Sequence, residues 1–246
     1  MNPLLCVRHE VEDDGGLAIP TFESAGLPIL TWDAWNGDSG PPDLDDVSGL
    51  TVFGGTMNVD QTAAFPFLAT ERGLVRRALD QGLPYLGICL GAQMLARALD
   101  EPVVPAPARA LGFTPVHPTA AGRADALVSL FGDGAMTFHW NEDTFVLPPD
   151  SELLATGADG SVQAFRHREA AWGLVFHPEV TGSELSTWLE ASDRATLAGR
   201  WGTDPDALRS AIDRYLPAHE DRGRELFRRF AEVVRVRSSA RVARRR

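Results

Sequence analysis

The sequence predicts an α/β fold: a mostly parallel central sheet with helices on both faces, an antiparallel strand section, and a C-terminal helical extension. Three observations carry this expectation. Short apolar runs bounded by Gly, Pro and Asp alternate with amphipathic stretches, the rhythm of strand–helix–strand units. From about residue 102 to 177 the pattern changes to short strands separated by turn signals, which suggests antiparallel strands added to the parallel sheet. After Val180 the apolar residues fall at helical spacing.

In chain order, Leu4–Val7, Pro28–Thr31, Leu50–Phe53 and Leu83–Ile88 read as short buried strands. Segments 16–25 and 67–81 read as the helices between them. In the second helix Leu68, Leu74, Val75, Ala78 and Leu79 share one face, with Glu71, Arg72, Arg76, Arg77 and Asp80 expected to point outward. The run from Gly37 to Asp46 reads as a surface loop. The antiparallel candidates are 102–104, 112–117, 135–139, 153–156, 161–166 and 171–176. Asp204 before Pro205 is a helix start, an N-cap followed by a proline at the first helical position. The expected organisation is one domain over 1–180 and a helical extension over 181–246 packed on it.

Composition removes several function classes. The chain has 246 residues and 23 basic ones, all arginine. Without lysine there is no phosphate-binding loop of the G-x-x-x-x-G-K-[ST] type and no Schiff-base chemistry. The net charge of −11 is unevenly spread. Residues 222–246 carry ten Arg against Glu225 and Glu232, a balance of +8 that leaves −19 on the rest. An acidic body repels polyanions, which argues against nucleic acid as a partner. The basic tail reads as a solvated, frayed helix end, with RNA or an acidic partner as the lesser alternative. No apolar run approaches the ~20 residues of a membrane helix, and the opening residues lack the cationic lead of a signal peptide. The expected location is cytoplasmic, with no membrane partner.

Of the two cysteines, Cys6 sits in an apolar run and reads as a buried, inert core thiol. Cys89 lies where a strand meets a helix, flanked by Gly87 and Gly91 in G-I-C-L-G-A-Q. That spacing is a nucleophile elbow. Small neighbours permit a strained turn, and N–H groups at a helix start favour the reactive thiolate. A buried cysteine in a glycine-containing turn is the alternative. Phe176-His177-Pro178-Glu179 ends a predicted strand, where residues two apart share a face, so Glu179 can orient the His177 imidazole. By itself this pair is more often a surface ion pair. Gly54 and Gly55 follow a third predicted strand, and their backbone N–H groups could approach a developing oxyanion. In isolation they mean only a turn.

Together, G-I-C-L-G-A-Q, F-H-P-E and V-F-G-G resemble, in order and spacing, the class I glutamine amidotransferase family over roughly residues 1–180. Val7-Arg8-His9-Glu10, Met57–Asp60, Asp143–Phe145 and Gln163–Arg166 are further similar to its stand-alone branch, which looks like the amidotransferase part of GMP synthase. The resemblance implies a flavodoxin-like amidotransferase fold and a Cys89-His177-Glu179 triad. Cys89 would attack the glutamine carboxamide, His177 would carry the proton, and Glu179 would hold the imidazole. It implies backbone N–H groups of Gly55 and Leu90 as oxyanion donors, with Gly54 beside them. Gln93, one helical turn beyond Cys89, is the implied substrate-pocket residue; capping a neighbouring loop is its alternative.

Asn141 stands where the branch usually carries a histidine in a loop expected near the glutamyl group, which bears on substrate preference. Val175 replaces a common Gln, and 110–113 depart from a usual Glu-Ile-Gly-Trp. His9, His117, His139, His167 and His219 show no metal-ligand spacing, so neither a metal nor another cofactor is expected. The tryptophans read as core or pocket wall. Three readings follow: a glutaminase passing ammonia to a synthase on another chain, a self-sufficient γ-glutamyl hydrolase, and a non-enzymatic binding module. The intact Cys89-His177-Glu179 set argues against the third.

Overall fold

In strand β1 (Leu4–Arg8) every side chain from Leu4 to Val7 is fully buried. Successive strand residues point to opposite faces. Leu5 and Val7 accordingly join one core cluster, while Leu4 and Cys6 join another. Such a strand is stable only inside a sheet covered on both sides. The structure, a computed structural model, describes residues 1–37, 40–192 and 194–245.

Strands β2 (Ile29–Asp33), β1, β3 (Gly49–Val52), β4 (Tyr85–Ile88) and β9 (Ala171–Leu174) lie side by side in parallel. The sheet continues antiparallel through β8 (Val162–His167), β7 (Ser151–Thr156), β5 (Val103–Pro118) and β6 (Ala135–Phe145). Helices α2 (Phe67–Asp80) and α3 (Leu90–Ala98) cover one face through Leu68, Leu74, Val75 and Leu95. Helix α1 (Ala18–Ser24) and the long α7 (Pro205–Arg245) cover the other through Phe22, Leu226, Phe227 and Phe230. The short α4 (Ala120–Ala124) packs beside β7. A third cluster joins α5 (Gly182–Ala191), α6 (Arg194–Trp201) and α7 to β5 and β6 through Leu185, Leu197, Leu208, Leu111 and Phe138. This is the expected α/β architecture, with its C-terminal helix present.

Five local expectations change. The segment 171–176, expected among the antiparallel strands, is β9, which ends at Leu174 and pairs parallel with β4 as well as antiparallel with β8. The strands expected at 102–104 and 112–117 are one strand, β5, with a register break between Pro105 and Ala110. Prolines interrupt the alternation there, yet β6 pairs on both sides of the break. The segment around Asn141, expected as a loop, belongs to β6. Glu71 does not point outward: its side chain is fully buried in α2 because His9 meets it. Through Arg241 the basic tail is a docked helix rather than a frayed end, and Arg246 lies outside the described residues. Arg237 pairs with Glu169 at 2.7 Å, and Arg241 with Asp45 at 3.1 Å and Gln81 at 2.7 Å. Asp38 and Ser39 of the expected loop lie outside the described residues. No helix among the described residues is long and apolar enough to cross a membrane.

Candidate active site

In a parallel sheet flanked by helices, ligands bind beyond the carboxyl ends of the strands, where the strand order reverses. Here β1 is followed outward by β2 on one side and β3 on the other. His9, Gly54, Cys89 and His177 follow β1, β3, β4 and β9 within one to three residues of each strand's end.

Cys89 joins β4 to α3 with φ 50° and ψ −104°, a conformation that L residues rarely adopt. Such a residue costs about 1–3 kcal/mol and persists only when its surroundings enforce it. They do. The Cys89 N–H donates to the Leu174 carbonyl at 2.8 Å, and its own carbonyl accepts from Ala92 at 2.9 Å. A β-carbon on Gly91 would overlap the Val52 carbonyl, and one on Gly87 would overlap the Gly91 backbone. Only glycines allow β3, β4 and α3 to converge this closely. The thiol is 5% exposed, with the Trp140 carbonyl 3.9 Å from Sγ.

His177 and Glu179 follow β9 and are both buried. Their side chains meet at 2.7 Å, Nδ1 to Oε1. A carboxylate accepts, so Nδ1 carries hydrogen and Nε2 is left on the far side of the ring, buried and without a hydrogen-bond partner. The ring lies beside the thiol: a β-carbon on Gly54 would be 3.1 Å from His177 Cε1 and 3.8 Å from Cys89 Cβ. Burial opposes charge on His177, but the Glu179 carboxylate and the neighbouring Cys89 outweigh it and hold the imidazole well above its ordinary range. Two of the other histidines nearby behave oppositely. Burial, together with repulsion from His177, pushes His139 down to about 3. Burial also takes His219 down to about 4. Of these three, only the imidazole that faces the thiol favours charge; His9, just past β1, is also raised, by Glu71 against its own burial.

The backbone of this site is clasped from several directions. Leu17 N–H donates to the Glu179 carbonyl at 2.8 Å. His219 Nε2, from α7, donates to the His177 carbonyl at 2.8 Å. The wall beside the thiol is aromatic: Trp188 lies edge-on to His177 at 6.0 Å, and Trp140 touches both Trp188 and Trp201. Two further acids crowd Glu179. Burial and then the Glu179 charge raise Asp13 to about 7 and Glu184 to about 8.

Among the remaining sequence candidates, neither Gly55 nor Leu90 has its N–H paired within the described residues. Gln93 is 5% exposed on the first turn of α3, and its side chain makes no hydrogen bond there either. Asn141 has a buried Oδ1 without a partner and a 3.5 Å contact from Nδ2 to the Asp143 carbonyl. Cys6 is buried, and burial drives its thiol far above the ordinary range, as an inert core position requires. Sequence reasoning gave no role to Glu71, Asp13, Glu184 and His219, and none to His9 beyond its place in Val7-Arg8-His9-Glu10. Glu184 carries a local signal, the Thr181-x-x-Glu184 capping box, whereas Glu71 and His219 are marked only by their burial. No group of three or more His, Cys, Asp or Glu among the described residues is arranged to hold a metal.

Comparison with known proteins follows the same lines. A sequence model described as glutamine amidotransferase class-I matches residues 27–192. The chain is 28% identical over 191 residues to the glutamine amidotransferase-like protein YfeJ of Salmonella typhimurium, covering 76% of this chain and 80% of that one. It is 36% identical over 151 residues to the glutamine-hydrolyzing GMP synthase of Porphyromonas gingivalis, covering 61% of this chain but 28% of that protein. A glutamine amidotransferase from Thermotoga maritima superposes with TM-score 0.82 at 28% identity, covering 94% of this chain and 98% of that one. One from Methylobacillus flagellatus, at 22% identity and TM-score 0.83, shares the fold over 94% of this chain and 95% of that one.

Proposed function

The chain belongs to the class-I glutamine amidotransferase family, and from that premise we propose that it hydrolyses the side-chain amide of glutamine through a Cys89 thioester. The observation that supports this most is the His177–Glu179 bond, which turns a buried, unpartnered Nε2 toward a strained cysteine.

With the Cys89 proton already held on Nε2 of the charged His177, the thiolate Sγ attacks the carboxamide carbon. The carbonyl π electrons move to oxygen, and the N–H groups of Gly55 and Leu90 stabilise the resulting oxyanion. When the intermediate collapses, the C–N bond breaks and His177 returns the proton to nitrogen, so ammonia leaves and a γ-glutamyl thioester remains. Water then attacks the thioester with His177 as base, releasing glutamate and the thiol. Glu179 keeps the imidazole in the tautomer that each transfer needs. Gln93 offers an unpaired side-chain amide and Asn141 an unpaired Oδ1 near the site for the polar end of the substrate.

In the first reading the ammonia goes to a separate synthase subunit. Its support is that the relatives include one of the subunits of a glutamine-hydrolyzing GMP synthase and one of a pyridoxal 5′-phosphate synthase. A second reading is cleavage of γ-glutamyl amides without a partner. It is favoured by the wall of Trp140, Trp188 and Trp201, which this chain supplies itself and which suits a leaving group larger than ammonia. Ammonia or amine release from L-glutamine and from a panel of γ-glutamyl dipeptides, with Cys89→Ala as the blank, separates the two. Preference for glutamine supports the amidotransferase reading, and preference for dipeptides supports the peptidase. Turnover of neither, with no covalent capture of Cys89 by a glutamine-analogue electrophile, overturns both.

A further inference from the structure

A peptide between two glycines has no β-carbon on either side to bias its orientation, so Gly54–Gly55 can turn over at low intrinsic cost. Its orientation matters, because a trans peptide directs its N–H opposite to its carbonyl. Gly55 N–H can serve an oxyanion only if the Gly54 carbonyl is held the other way. One side chain holds it. His9 Nδ1 lies 2.7 Å from the Gly54 oxygen. A carbonyl only accepts, so Nδ1 carries hydrogen and donates.

The donor is itself fixed. His9 Nε2 meets Glu71 Oε2 at 2.9 Å, and both side chains are fully buried. Wherever the proton between them resides, Nδ1–H points at Gly54. Phe67 stacks on the imidazole at 6.0 Å and 26°, which fixes the ring plane. The next residue, Glu10, anchors the far side of Gly55 by accepting from the Thr56 N–H at 2.8 Å. Gly55 also has no room to move aside: a β-carbon there would be 2.9 Å from Leu90 Cδ2 and 3.1 Å from His9 Cβ. Between these anchors the Gly55 N–H, directed away from His9, is unpaired.

We infer that His9, held by Glu71, is a positioning residue that latches the Gly54–Gly55 peptide with its N–H open to the substrate's carbonyl oxygen. The latch rests on the thioester chemistry proposed above, since it acts only through an oxyanion. A buried ion pair at a place where an apolar pair would pack as well is otherwise a poor source of stability.

The test uses the geometry of amide mimics. The side-chain N–H of asparagine falls near histidine Nδ1, and that of glutamine near Nε2. His9→Gln is expected to lower kcat for the wild type's best γ-glutamyl substrate by about 100-fold, the loss typical of one oxyanion donor. KM stays within about threefold, because the interaction forms mainly in the transition state. His9→Asn recovers about tenfold of that loss. Alkylation of Cys89 by iodoacetamide, which develops no oxyanion, stays within about threefold of wild type in both. Equal activities of the two variants, or alkylation falling in step with kcat, overturn the latch. Crystal structures of both variants give a readout without turnover, with the peptide turned in His9→Gln and unchanged in His9→Asn. If the wild type hydrolyses nothing and no glutamine-analogue electrophile captures Cys89, the proposed function has failed, while an unturned peptide in His9→Gln is what refutes the latch. Should His9→Gln not fold, ¹⁵N-histidine NMR of the wild type decides: Nδ1 must be protonated from pH 5 to 9, and an unprotonated Nδ1 overturns the inference.

Discussion

Cys89→Ala removes one sulfur from a site whose backbone is held by its own hydrogen bonds to Leu174 and Ala92. The variant is expected to fold as the wild type does and to lose turnover entirely, as judged by circular dichroism and ammonia release. Activity within about tenfold of wild type would exclude a thioester. Glu184 makes a prediction of a different kind. Its carboxyl, pushed up to about 8 by burial and then by Glu179, binds its proton more tightly folded than unfolded. Between its ordinary value near 4.5 and about 8 the folded state therefore carries the extra proton, and stability falls as pH rises. Asp13, raised to about 7, adds the same sign over the lower part of that window. Glu184→Gln can still accept from the Thr181 N–H that the carboxylate now caps at 2.9 Å. Differential scanning calorimetry should show little change in Tm at pH 5 and a gain of about 3–6 °C at pH 8. That gain corresponds to on the order of 1–2 kcal/mol once the exposed edge of the carboxyl is allowed for. A variant less stable than wild type at pH 8 would mean that the carboxylate contributes more through bonding than its burial costs.

Helix α7 reaches the site at one narrow crossing. A β-carbon on Gly223 would overlap the Pro178 carbonyl, within the segment that carries His177 and Glu179. His219, one turn earlier, donates to the His177 carbonyl. Gly223→Ala gains about 1 kcal/mol of helix propensity. The clash is with backbone, which no rotamer change relieves, so overpacking of about 1–3 kcal/mol wins. Urea unfolding should show net destabilisation, and kcat should fall as the histidine is displaced. A stabilised variant with unchanged kcat would show that α7 only covers the sheet. At this scale the sequence was partly legible. The N-cap at Asp204 and the proline after it mark the start of α7 from local chemistry. Where α7 lands cannot be read locally, because the partner of Gly223 lies 45 residues earlier.

Across the whole molecule, the basic tail lies along the acidic body, with ion pairs from Arg237 to Glu169 and from Arg241 to Asp45. Arg229 donates to the Ala126 carbonyl and Arg235 to the Ala25 carbonyl, besides the Arg237 and Arg241 contacts. These exposed pairs contribute little, so Arg237→Ala and Arg241→Ala should each shift unfolding by less than about 1 kcal/mol. The apolar face of the same helix is another matter. Phe227 packs edge-on to Phe22 at 5.4 Å, and Phe230 to Trp172 at 6.2 Å. Deleting residues 204–246 uncovers that sheet face and should abolish cooperative thermal unfolding. A truncated chain that melts cooperatively and retains turnover would make the helix an accessory.

By itself the sequence determined the α/β class, the strands up to Ile88, and the strand-to-helix placement of Cys89. Each of these depends on neighbours within a few residues: alternating burial, a glycine beside a tight turn, a cap before a helix. It also paired His177 with Glu179 by their two-residue spacing, although the strand assumed for them ends at Leu174 and the two side chains meet in the turn that follows. Tertiary structure decided the rest. His9 and Glu71 are 62 positions apart. A lone glutamate among charged helix residues looks solvent-facing until a histidine from just past β1 meets it. The prolines of β5 read as breaks until β6 pairs across them. Burial of a polar group is stable only with its partner present, and which residues become partners is set by how the sheet brings distant strand ends together.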